Sequence, residues 1–203
     1  MTSQYALYET AKLNERFQLA KGLPKGVKPH RVIKPTMEAP VVVNRGEGAQ
    51  VELMKWGLVA KGAKDTNSVF RYKTHTVPSE KMLSKHSWEN AVRQNRCLVP
   101  ANGFYEQIGE GAERRTNYIQ LKDQPLFALA GIYTYWENPQ GVTWGTYSIL
   151  TMEDGQARGR MPVIISQDDE NNWLDVSMSD TNTLYGMIRS YPRGVLLVTE
   201  ASI

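Results

Sequence analysis

Residues 96–106 run Arg96-Cys97-Leu98-Val99-Pro100-Ala101-Asn102-Gly103-Phe104-Tyr105-Glu106. Cys97 to Pro100 reads as a short buried strand, and Gly103 to Ile108 as another that carries Glu106. A glycine-rich turn follows at 109–111. Downstream the β pattern continues through Asn117 to Leu121, Leu126 to Tyr135, Thr143 to Thr151 and Pro162 to Ser166, with polar or glycine-containing turns between. Asp168 to Leu174 and Asn182 to Ser190 read as short helices, and Gly194 to Thr199 as a closing strand. Upstream, Val41-Val42-Val43 and Gln50 to Trp56 flank turn residues 44–48 and predict a hairpin. Glu80 to Gln94 has helical spacing, with Ser79 placed to cap it. Residues 7–19 predict a short helix ended by Gly22 and Pro24. Residues 25–39 and 57–65 read as loop, and Val69 to Val77 as extended. Many short strands with few helices predict an α+β fold: one domain over residues 1–203, with a central antiparallel, barrel-like sheet and peripheral helices.

Composition agrees with one packed domain, since 41% of the 203 residues are apolar and five are Trp. Twenty-four basic and 21 acidic residues give a net charge of +3, which permits nucleic-acid binding without demanding it. Cys97 is the one cysteine, so no disulfide forms within the chain and no cysteine-rich zinc site exists. His30, His75 and His86 lack metal-ligand spacing, and no metal or cofactor is expected. Ser3, Ser68 and Ser166 lack the surroundings of a serine nucleophile. Met1 to Tyr5 shows no leader pattern, and no apolar run approaches the roughly 18 residues that cross a bilayer. A cytoplasmic protein with no membrane partner is expected; the oligomeric state is left open.

The 96–106 stretch resembles the signature of the SRAP (SOS response-associated peptidase, abasic site processing) family, in which a strand, a turn and a second strand present a glutamate. Met54-Lys55-Trp56-Gly57-Leu58-Val59 resembles the family's Trp-Gly-Leu strand end. Leu129-Ala130-Gly131-Ile132-Tyr133, Ser148-Ile149-Leu150-Thr151, Arg160-Met161-Pro162-Val163-Ile164 and Trp173-Leu174 match later blocks in family order, covering roughly residues 1–200. The resemblance implies sensors of abasic sites in single-stranded DNA. Their cysteine after the initiator Met closes a thiazolidine on the abasic aldehyde, assisted by an Asn, the signature Glu and a His.

Carried over position by position, only Glu106 of that group is retained. The Cys position is Thr2, the Asn-Ala-Arg block falls on Arg71-Tyr72-Lys73, and the His position falls on Arg158. His75 stands where that block often carries Glu. The Thr2 amine, freed of Met1, could attack an aldehyde to give an imine, but a hydroxyl cannot replace the thiol in closing the ring. Glu106 is expected to act as general acid or base, or to pair with Arg71 or Arg158. Arg71, Lys73, Arg158 and Arg160 supply phosphate contacts and Trp56 a possible stacking surface, although Trp56 also suits the core. The expected function is an SRAP-like protein that engages single-stranded or abasic DNA with reduced or lost covalent chemistry. The alternative is an inactive pseudoenzyme of phage or mobile-element origin that binds or regulates.

Overall fold

The computed structural model describes residues 3–59, 63, 69, 72–84, 86–109, 115–138, 140–153 and 159–201. Five strands form a closed ring: β3 (Glu38–Asn44), β4 (Ala49–Trp56), β6 (Arg96–Ala101), β9 (Phe127–Glu137) and β10 (Thr143–Glu153). Four seams are antiparallel. The fifth, β10 with β4, is parallel and pairs Thr146 with Lys55 and Tyr147 with Trp56. Strands β5 (Thr76–Pro78), β11 (Arg160–Pro162) and β12 (Ile164–Ile165) extend the ring from β10 and β9. A second, antiparallel sheet has the order β13 (Leu196–Glu200), β8 (Arg115–Leu121), β7 (Gly103–Ile108), β1 (Tyr5–Leu7), β2 (His30–Ile33). Helices α1 (Leu13–Arg16), α2 (His86–Gln94), α3 (Gln167–Leu174) and α4 (Thr181–Gly186) lie outside the strands. The α+β, barrel-based architecture expected from the sequence is present.

The stretch 96–106 joins the two sheets. Strand β6 belongs to the barrel, β7 to the second sheet, and Asn102 makes the corner between them. Gly103 leaves room at that corner, since a Cβ there would lie 2.4 Å from the Tyr118 ring. At the other end, buried Arg96 donates to the carbonyls of Trp173 (2.5 Å), Val92 (2.8 Å) and Met178 (3.2 Å), tying the ends of α2 and α3 to the barrel. Burial lowers its pKa from 12.5 to about 10, against the opposing pull of the Asp175 charge. Cys97 is fully buried among barrel side chains and behaves as a small hydrophobe.

Several boundaries differ from the sequence reading. The helix expected over 7–19 shrinks to a 3-10 turn (Thr10–Lys12) and the single turn of α1, because Leu7 is claimed by β1. The loop expected over 25–39 contains β2, which exists by pairing with β1 rather than by its own pattern. Ser79 starts a 3-10 turn and caps no α-helix; α2 begins at His86. The strand expected over Pro162–Ser166 is split into β11 and β12, which serve different neighbours, β10 and β9. Of Val69–Val77, the part up to residue 71 lies mostly outside the described residues, and Thr76–Pro78 is strand.

Candidate functional site

Strand β1 lies beside β7, with Tyr5 opposite Phe104 and Ala6 opposite Gly103. The next contact in this ladder is the Tyr105 N–H donating to the Gln4 carbonyl at 3.0 Å. The chain's N-terminal end is therefore delivered to the level of Glu106. Asn102 fixes this arrangement. Its Oδ1 accepts from the backbone N–H groups of Tyr8 (2.8 Å) and Glu9 (3.1 Å), and its Nδ2 donates to Glu9 Oε2 (3.0 Å) and the Pro125 carbonyl (2.5 Å). Every hydrogen-bonding position of this buried amide is spent on holding the N-terminal segment. Sequence reasoning missed it as a site-building residue; its place at a buried corner beside Gly103 was the available signal.

Glu106 is half-buried on the Phe104 side of β7, and a Cβ on Gly159 would meet its Oε1 at 3.5 Å. The segment entering β11 thus passes directly over the carboxylate. Arg160, next in line, is engaged elsewhere. Its Nη2 donates to Glu80 Oε2 (2.5 Å) and the Thr151 carbonyl (2.8 Å), its Nε to Thr151 Oγ1 (3.1 Å), and Glu153 lies 3.6 Å from Nη1. Burial alone would raise the Glu80 pKa, but its own backbone N–H and Arg160 hold it below the ordinary 4.5. Thr2, Arg71 and Arg158 lie outside the described residues. Lys73 is exposed, with a left-handed φ of 50°. Thr36, the other non-glycine residue near this end in that region (φ 74°), is bonded to the Trp56 carbonyl through its N–H at 2.7 Å. Two strained residues therefore bracket the Trp56 strand end, a pattern common at functional sites.

Trp56 is fully buried. Tyr5 meets its ring edge-on at 5.1 Å, His75 edge-on at 5.9 Å, and Tyr147 is stacked at 6.4 Å. Its indole forms a wall behind the N-terminal strand, with no face open for stacking. Trp56 Nε1 donates to the His75 carbonyl at 2.8 Å, and the Ile149 N–H donates to the same oxygen at 3.1 Å. The His75 ring is half-buried, and its Nδ1 is buried with no hydrogen-bond partner among the described residues. Burial first, then the positive charges of Lys73 and of the chain's N-terminus, push this imidazole below its ordinary 6.5. His75, bland in the sequence, is thus part of the same wall.

Among the described residues no group of three or more His, Cys, Asp or Glu is placed to hold a metal, and no helix is long and apolar enough to cross a membrane.

The family model described as SOS response associated peptidase (SRAP) matches residues 1–202. The chain is 28% identical over 198 residues to abasic site processing protein YoqW of Bacillus subtilis, covering 94% of this chain and 88% of that protein. It is 32% identical over 162 residues to abasic site processing protein HMCES of Gallus gallus, covering 67% of this chain and 48% of that longer protein. Among solved structures, a protein from Bacteroides thetaiotaomicron matches with a TM-score of 0.83 at 22% identity over 99% of this chain and 91% of that one. A Bordetella bronchiseptica protein matches at 0.80 and 17% identity over the full length of both. At such identities these two structural matches speak to the fold alone.

Proposed function

The chain belongs to the SOS response associated peptidase (SRAP) family, and on that premise we propose that it engages single-stranded DNA at abasic sites in the cytoplasm, forming at most a reversible imine. The observation that carries this reading is the delivery of the N-terminal segment along β7 to Glu106. An N-terminal amine beside a carboxylate is the arrangement that amine attack on an aldehyde requires. With Met1 removed, the nucleophile is the Thr2 amine, whose pKa near ~7.7–8.0 leaves a neutral fraction at pH 7.

The missing thiol limits the covalent chemistry. Position 2 is Thr, and the one cysteine, Cys97, is buried in β6 with its thiol pushed up by burial. No thiazolidine closes, and the imine hydrolyses back. Arg71, Lys73 and Arg158 supply phosphate contacts, Arg160 braces the segment above Glu106 through Glu80, and Trp56 acts as wall.

Gel shifts with abasic and intact oligonucleotides, with and without borohydride, test the proposal. The abasic strand is expected to bind more tightly and to give an adduct that survives denaturation only after reduction. Equal binding to both strands rejects damage recognition, and no trapped adduct rejects the imine. Absence of binding at low salt favours an inactive binding or regulatory protein.

A further inference from the structure

We infer that His75 is the proton-transfer group of this site, taking a proton from the chain's attacking amine and returning it to the departing hydroxyl as the imine forms. The inference rests on the imine reading above. It supplies a group that the reading otherwise lacks. Arginine stands at position 158 and stays protonated at working pH, so it cannot shuttle protons. A carboxylate among cations is held ionised and is a poor acid.

The geometry favours His75. Its ring and that of Tyr5 contact the same indole, Trp56, so the imidazole and the strand that delivers the N-terminus share one wall. Its backbone is fixed by the two hydrogen bonds its carbonyl accepts, from Trp56 on β4 and Ile149 on β10. The ring is thus mounted on the rigid barrel, which suits a group that must meet a reacting atom. Buried polar atoms are normally satisfied, and Nδ1 is not. With Nδ1 turned inward, proton exchange with the cleft runs through Nε2. The charges facing the ring are Lys73, from its own segment, and the N-terminus; Trp56 and Ile149, which brace it, carry none. Cationic neighbours keep the resting imidazole neutral and ready to accept a proton.

The step balances without a co-reactant. Neutral His75 takes one proton from the N-terminal ammonium. The amine lone pair then bonds to the aldehyde carbon, and the carbonyl π pair moves to oxygen. A proton passes from nitrogen to that oxygen, giving the carbinolamine. The His75 imidazolium protonates the hydroxyl, the C–O bond breaks, water leaves, and the nitrogen lone pair forms the iminium. Imidazole is regenerated.

The test measures the rate of borohydride-trapped adduct formation on an abasic oligonucleotide between pH 5 and 8, using the full chain, His75→Gln and His75→Ala. General acid–base groups contribute about 10²–10⁴-fold. His75→Gln is expected to slow trapping by roughly 10²-fold and to lose the rate limb near the imidazole pKa. Free imidazole is expected to restore part of the rate to His75→Ala, which a structural role would not allow. Thermal melts of each variant show that the fold is kept. If the parent chain is trapped and both variants match it in rate and pH profile, the role of His75 is overturned and the imine reading stands. If the parent chain itself gives no adduct, the imine reading fails and the shuttle with it.

Discussion

Single side chains with fully committed polar groups decide the geometry of this site. Asn102 is the clearest case, because its four hydrogen bonds are what press the N-terminal segment against β7. Asn102→Ala leaves the buried partners on Tyr8, Glu9 and Pro125 unsatisfied, at roughly 1–3 kcal/mol for each group that water does not reach. A loss of about 3 kcal/mol or more in urea unfolding is expected, together with weaker discrimination of abasic from intact strands. A change below ~0.5 kcal/mol, the range of ordinary surface substitutions, would remove Asn102 from this role. His75 makes a second prediction, in pH. Its folded pKa lies below 6.5, so between that folded value and 6.5 the unfolded chain binds more protons than the native one. Stability therefore falls as pH drops through this window and loses nothing further below it. Comparing urea midpoints at pH 7.5 and 5.5 should give a smaller acid loss for His75→Gln than for the parent chain; equal losses would mean His75 is not the group responsible.

At the scale of elements, the Trp-Gly-Leu strand end shows how a motif is enforced by packing. Gly57 has φ of 126°, and a Cβ there would lie 2.2 Å from Val69 Cγ1. Gly57→Ala forces both a strained backbone and displacement of Val69, which packs with Val59 and Trp136 in a small separate cluster. A destabilisation of about 2–4 kcal/mol is expected, with the local change visible in Trp fluorescence; retention of parental stability would show that the loop carrying Val69 is free to move. The elements legible in the sequence are those with their own periodicity. The 38–56 hairpin and the long pair β9–β10 carry alternation along their length, so the sequence places them to within a few residues. Strand β2 is not legible, since its Lys, Pro and Gly-rich surroundings hide a segment that is extended only because β1 pairs with it. The site divides in the same way. Glu106 is visible as a polar residue in a strand, whereas Asn102 and His75 gain meaning only once residues 90 and more apart, or 19 apart across two strands, are brought together. Trp56 suits both core and stacking surface in the sequence, and its burial assigns it to the core.

At the scale of the whole molecule, charge sets how strongly DNA is held. The net charge is only +3, and much of the basic side-chain population is already committed. Arg16 is bound bidentately by Glu170, Arg45 pairs with Glu52, Arg93 with Glu89, and Arg160 with Glu80. Each such pair cancels a charge that would otherwise displace a counterion from DNA. Lys34 and Lys73 are exposed, and Lys55 lies 3.4 Å over the Trp144 ring, so the cations nearest the Trp56 strand end are few. Adding Arg71 and Arg158 by sequence position still implies only a handful of phosphate contacts. For single strands, log K falls with log salt at about −0.7 per contact, so three to five contacts predict a slope of roughly −2 to −3.5. Fluorescence anisotropy of a labelled abasic oligonucleotide between about 25 and 200 mM salt measures it. Lys73→Ala should weaken abasic and intact strands alike and make the slope shallower by about 0.7. A parental slope steeper than about −5 would require a larger basic footprint than this cleft offers, and would place DNA on a different face of the protein.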